Sequence, residues 1–287
     1  MPDAILLFTG VVVFAQMFDI GLRQGPGDLA RLFGRPGLLL RSLLSVLVIV
    51  PLAAFVLVAT LPVPREVALG IVLLAAAPGA PLTTRRSQMA GADDGYVTAL
   101  QLTLAALAVV FMPAAVAAFG PVLDPSVPTP APGQVARQIA VVTILPVTLG
   151  WLFARFAPGI LRRRAPLLSR AAKVLFLAFA LVVVLALAFV PDLRASILIG
   201  WAGAGTLAAM AAVGIAAGHL LGGPGAERRG GLATASVARN LGLALYVAES
   251  APETVDAIPT ILTYALIGIL LAVPYALWIK GRASVPG

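Results

Sequence analysis

Two stretches decide how this chain is read: Ala75-Ala76-Ala77-Pro78-Gly79-Ala80-Pro81-Leu82-Thr83-Thr84, and Thr234-Ala235-Ser236-Val237-Ala238-Arg239-Asn240-Leu241-Gly242-Leu243. In the first, two prolines and a glycine interrupt an apolar run and cannot continue a regular helix. In the second, small, polar and charged residues stand where a membrane segment should be apolar. Each is followed by a long hydrophobic stretch. Unwound backbone is tolerated in a bilayer only where protein or a watery cavity covers it. Irregular segments at corresponding places in two halves of a chain are the sequence mark of a transporter substrate site. The plainer alternative for Pro78 to Pro81 is a packing kink.

The composition sets the solvent. Of 287 residues, 60% are hydrophobic and 11% charged, against about 25% charged in a soluble domain. A bilayer, unlike a single soluble core, hides apolar surface all round. The net charge of +8 does not imply nucleic acid, because the basic residues flank apolar blocks. The absence of Cys and the single His, His219, argue against thiolate or His-based metal centres, and no cofactor is expected. Met1-Pro2-Asp3 carries no basic run, so the first apolar block is expected to remain in the mature protein.

Cutting the chain at its charges leaves nine apolar segments: 4–22, 42–63, 67–84, 95–123, 138–154, 174–191, 195–221, 230–248 and 257–279. Their length predicts transmembrane helices, not the short alternating strands of a barrel. With the N-terminus outside, 16 of the 20 Lys and Arg fall in inner loops and three outside. This predicts an all-α polytopic protein of the plasma membrane with its C-terminus in the cytoplasm. Residues 28–33 read as a short interfacial helix. Pro121 to Pro132 reads as an extended outer loop, and Pro51 as a kink.

At these residues the chain resembles the bile acid:sodium symporter family. The resemblance rests on the run from Phe14 to Thr84, with Phe14-Ala15-Gln16-Met17-Phe18-Asp19-Ile20-Gly21-Leu22, Pro51, Leu61-Pro62-Val63-Pro64-Arg65-Glu66 and Pro78-Gly79. It rests also on Arg239-Asn240-Leu241-Gly242-Leu243-Ala244, similar to the family's second signature of Gln-Asn, a small residue and Gly-Leu-Ala after an acidic residue. The resemblance implies an inverted-repeat transporter with two broken, crossing helices. Its core would span 42–123 and 195–279, and its panel 4–22, 138–154 and 174–191, the first of ten family helices being absent. It also implies where sodium ligands belong, and there the chain departs. The family's Ser-Asn falls on Thr83-Thr84, its acidic residue on Ala235, its carboxamide on Arg239, a glutamine on Val46 and a serine on Ala99, while Thr103 is kept. Hard cations need several oxygen ligands. A guanidinium instead adds repulsion of about 4 kcal/mol at about 4 Å and an effective dielectric of about 20.

Arg239 is the leading candidate, since an Arg at mid-membrane costs roughly 2.5 to 3.5 kcal/mol unless paired or hydrated. It either acts as a tethered cation that attracts an anionic substrate or caps helix-end carbonyls at the crossing. Thr83, Thr84, Ser236 and Asn240 either bind substrate or satisfy freed backbone. Gln101 and Thr103 either face a cavity or pack helices. Pro78, Gly79, Pro81 and Gly242 mark the breaks. Asp19 is a proton carrier or an i,i+4 partner of Arg23. Arg85 and Arg86 line an inner vestibule or orient the chain.

The expectation is a secondary transporter of a small organic anion, working by alternating access without sodium and either proton-linked or facilitative. The rival is a membrane-embedded enzyme acting on a lipid or isoprenoid. Its warrant is Asp93-Asp94, which as a lone pair reads better as a helix N-cap. A third possibility is a family member that binds ligand without transporting it.

Overall fold

The computed structural model describes residues 2–24, 27–79, 87, 89–123, 132–189, 200–249 and 252–283. Pro81, Thr83, Thr84, Arg85 and Arg86 lie outside the described residues, as do most of the proline-rich outer loop and the end of the sixth apolar segment. Among the described residues the protein is all-α.

In chain order the helices are α1 (Pro2–Arg23), α2 (Asp28–Phe33), α3 (Pro36–Thr60), α4 (Arg65–Ala76), α5 (Asp94–Leu123) and α6 (Pro132–Phe156). They continue with α7 (Pro158–Phe189), α8 (Gly200–Leu221), α9 (Ala226–Val237), α10 (Leu241–Glu249), a 3-10 turn (Pro252–Ala257) and α11 (Ile258–Ala283). Among the described residues, five stretches are long and apolar enough to cross a bilayer unbroken: Pro36–Thr60, Asp94–Phe119, Pro132–Phe156, Gly200–Leu221 and Thr254–Arg282. Leu7, Val110, Leu220 and Leu270 point outward, as lipid-facing side chains do. This is a polytopic membrane protein.

One expectation needs correction, and Pro51 shows how α3 stays helical. The helix widens into a π-helical stretch over Leu44–Ile49, so that the Val50 N–H reaches back to the Ser45 carbonyl. The same happens in α6, where Ala140–Ile144 is π-helical ahead of Pro146 and the Leu145 N–H bonds to the Ala140 carbonyl. A proline lacks the N–H of an α-helical bond and its ring crowds the carbonyl four residues back. Widening the preceding turn relieves the crowding and keeps the helix continuous. The correction concerns the basic loop expected before residue 174. It is helical, since α7 starts at Pro158 and runs through Pro166, with a proline at its first position where no N–H is required.

Close approach organises the packing. A Cβ on Gly21 would lie 2.2 Å from the Val147 carbonyl, and one on Gly150 would lie 2.3 Å from the Phe18 carbonyl. These two glycines let the backbones of α1 and α6 touch, as small residues do between membrane helices. α7 packs on α1 as well, where Gln16 donates to the Ala172 carbonyl at 2.6 Å. A second group is built from α3, α4, α5, α8, α9 and α11, with Ile71, Leu74, Met112, Leu207, Met210 and Ile261 buried at its centre.

Candidate functional site

The helix that begins as α4 stops at Ala76. Pro78 cannot donate, and Gly79 takes the left-handed conformation with φ 76°, which a residue with a Cβ rarely adopts. The helix that begins as α9 stops at Val237 and resumes as α10 at Leu241, leaving 238–240 extended. These two breaks lie side by side. Pro78 and Arg239 form an antiparallel bridge, and the Asn240 N–H donates to the Ala77 carbonyl at 3.0 Å. The backbone groups that each break frees are thus partly satisfied by the other.

Arg239 sits in this junction with 2% of its surface exposed. One terminal nitrogen donates to the Val46 carbonyl at 3.2 Å and the Ala75 carbonyl at 3.3 Å, and the other donates to Val46 at 3.3 Å. Both carbonyls lack their usual helical donors. In α3 the Val50 N–H has gone to Ser45, and Pro51, five residues after Val46, has none. In α4 the donor four residues after Ala75 would be Gly79, which lies beyond the break. One guanidinium therefore ties α3, α4 and the α9–α10 junction together. Among the described residues its Nε has no partner, and no carboxylate lies within ion-pair distance of the guanidinium. The Tyr264 phenol stands beside it and donates to the Val237 carbonyl at 2.6 Å, capping α9.

The other candidates separate into those at the junction and those away from it. Ser236, fully buried, shares a 2.7 Å hydrogen bond with Ser45 of α3. Asn240 accepts from the Leu243 N–H at 3.0 Å and so caps α10. Gln101 of α5 is 1% exposed, and among the described residues neither of its amide atoms has a hydrogen-bond partner. Its Nε2 lies 3.2 Å from where a side chain on Gly79 would begin. Thr103 is half-buried and turns its hydroxyl back to the Ala99 carbonyl of its own helix at 2.8 Å. Gly242 falls just past the break, in the first turn of α10 against Val13.

Three of the positions at which the resemblance places cation ligands are packed with hydrocarbon. Val46, Ala99 and Ala235 belong to one buried apolar cluster with Leu100, Leu104 and Leu232. Elsewhere, Asp93 caps α5, accepting from the Tyr96 N–H at 3.2 Å. Among the described residues no group of His, Cys, Asp or Glu is arranged to hold a metal ion. Asp19 pairs with Arg23 at 2.8 Å and accepts from Ser169 of α7. His219 shares a 2.9 Å hydrogen bond with Tyr275.

Ser45, Tyr264 and the Val46 carbonyl were not legible as parts of the site. Only Pro51, five residues after Val46, hinted at an unfilled acceptor.

A family profile described as the Sodium Bile acid symporter family matches residues 10–192. The chain belongs to that family, and at that level it is a bile acid/sodium symporter-like membrane transporter. The match takes in the first break. Arg239 and its neighbours lie beyond it, joined to it by the bridge to Pro78. A comparison with curated proteins finds no match.

Proposed function

We propose that this protein moves a small organic anion across the plasma membrane by alternating access, without sodium. A core of 42–123 and 195–279 would rock against a panel of 4–22, 138–154 and 174–191, with the N-terminus outside. The observation that carries the reading is Arg239, a fixed cation without a carboxylate partner at the junction of two broken spans. Its two terminal nitrogens are engaged by carbonyls, so it serves the anion through its field and holds the junction together, where family members would use a bound ion. Gln101 supplies direct hydrogen bonds, since a fully buried carboxamide with no partner forfeits about 1–3 kcal/mol unless a ligand or water completes it. Ser236, Asn240 and Thr103 support the site, and Thr83 and Thr84 are assigned to it from their place in the sequence.

The test is flux into proteoliposomes. Bile acids, sulfonated steroids and keto acids are offered as probes, with sodium or choline as the only monovalent cation. Saturable uptake of at least one probe, equal in both salts, is expected. Absence of flux and of binding for every probe overturns the transport reading, and steep sodium dependence at fixed potential and pH overturns the sodium-free one.

A further inference from the structure

α10 runs antiparallel to α1 and meets it along a seam. Gly242 packs on Val13, Tyr246 lies over Gly10, and Glu249 accepts a hydrogen bond from Thr9 at 3.3 Å. In the reading above, α1 belongs to the panel and α10 to the core, so this seam is where the two parts move against each other. Thr9 is 1% exposed. The Oε1 of Glu249 takes the Thr9 hydroxyl, while its Oε2 is buried and has no partner among the described residues. A carboxylate offers about four acceptor sites, and here one long bond serves them all.

Among the described residues no cation lies within ion-pair distance of Glu249. On the elements packed against α10, Arg65 and Glu66 at the start of α4, Arg137 on α6 and Asp256 in the 3-10 turn are exposed, and the 3-10 turn also carries Glu253. Asp19 and Arg23 of α1, Arg155 of α6 and Lys280 and Arg282 of α11 lie at the opposite ends of those helices, whereas Asp3 is at the near end of α1. None pairs with Glu249. Tyr246 and Tyr264 are the phenols of α10 and α11 on this side. A buried carboxylate oxygen with neither donor nor cation is costly, and a proton on Oε2 removes the charge without any rearrangement of the seam.

We propose that Glu249 is the proton-binding site of this transporter, taking a proton on its carboxyl when the α1–α10 seam is closed and releasing it to water when the seam opens. The inference rests on the transport reading and names its coupling ion. Proton binding and seam closure are then reciprocal: whatever closes the seam favours the proton, and the proton favours closure. A proton and an anion carried together also reduce the charge moved across the membrane.

The experiment has two arms on the purified full chain in liposomes. Infrared difference spectra between acid and alkaline buffer should show a protonated-carboxyl band that disappears in Glu249→Gln and moves to higher frequency in Thr9→Val, where the hydroxyl donor is gone. Taurocholate uptake should rise several-fold under an inward proton gradient in the wild type. In Glu249→Gln that stimulation should vanish while taurocholate counterflow persists. A spectrum unchanged by Glu249→Gln, or gradient stimulation equal to that of the wild type, overturns the assignment. If no probe is transported by the wild type, the transport reading fails, and the infrared band still decides whether Glu249 binds the proton.

Discussion

Arg239 donates from both terminal nitrogens to the carbonyl of Val46, 193 residues earlier in the chain. That carbonyl is open because Pro51 forces α3 into a π-helical register, so a proline in one helix and an arginine in the break of another form a matched pair. The pairing predicts a rescue. Arg239→Met should destabilise the protein by several kcal/mol, because it leaves the Val46 and Ala75 carbonyls buried without donors at about 1–3 kcal/mol each. Pro51→Ala supplies an N–H five residues after Val46 and should recover part of that loss in the double variant. Thermal unfolding in detergent measures both. Equal stability of Arg239→Met with and without Pro51→Ala would separate the two residues.

Arg239→Lys should rescue poorly. An ammonium is a single point donor group and cannot span two carbonyls on different helices as a planar fork does. Its melting temperature should fall closer to that of Arg239→Met than to the wild type. In the same assay, replacing choline by sodium should not shift the wild-type transition, since a bound ion would stabilise the folded state by mass action and hydrocarbon fills the positions of Val46, Ala99 and Ala235. A sodium-dependent rise would show that a cation still lodges there.

The hydroxyls of Ser45 and Ser236 join α3 to α9 at 2.7 Å with both side chains fully buried. A double-mutant cycle with Ser45→Ala and Ser236→Ala should return a coupling of about 0.6 kcal/mol, the usual scale for side-chain hydrogen bonds between membrane helices. Additive losses in denaturant unfolding would mean that the bond contributes nothing.

How much of this was legible in the sequence follows from which signals are local. The break at Pro78-Gly79 and the break at Arg239-Asn240 are written in residue types whose backbone consequences need no tertiary context, and both are observed. The partnership between the breaks is not local. Nothing in Arg239-Asn240-Leu241 says that the Asn240 N–H will reach Ala77. The π-helical stretches escaped because a proline in a long apolar run reads equally as a kink or as a widened turn, and packing against neighbours decides between them. Glu249 escaped because it stands one residue past the last apolar position of its segment, where a charge reads as the end of a span. The partial burial of its carboxyl involves Thr9 and α1, far away in sequence.

The α1–α6 contact gives a steric prediction. A side chain on Gly21 would start 2.2 Å from the Val147 carbonyl. Backbone cannot yield as a flexible side chain can, so Gly21→Leu should push the helices apart and cost roughly 1–3 kcal/mol or more. Gly10→Ala is the control: a Cβ there meets the Tyr246 ring at 3.5 Å, an ordinary contact, and stability should change by well under about 1 kcal/mol. Comparable losses in thermal unfolding for both would show that the Gly21–Gly150 approach is not what sets the α1–α6 distance.

Gln101 separates stability from function most cleanly. Its carboxamide is buried beside Gly79 with both polar atoms unpartnered among the described residues, so in the protein without substrate it is a cost and not a support. Gln101→Met keeps nearly the same length and volume and removes the unsatisfied amide. The folded state should gain up to about 1–3 kcal/mol if the site is otherwise unchanged. If the amide completes its hydrogen bonds on the transported anion, the same substitution should weaken binding of that probe by roughly tenfold, the equivalent of about 1.4 kcal/mol. Isothermal titration with the probe identified by flux, set beside the unfolding temperature, reads both effects on one preparation. A variant that gains stability and binds as well as the wild type would remove Gln101 from the site and leave its burial without a functional reason.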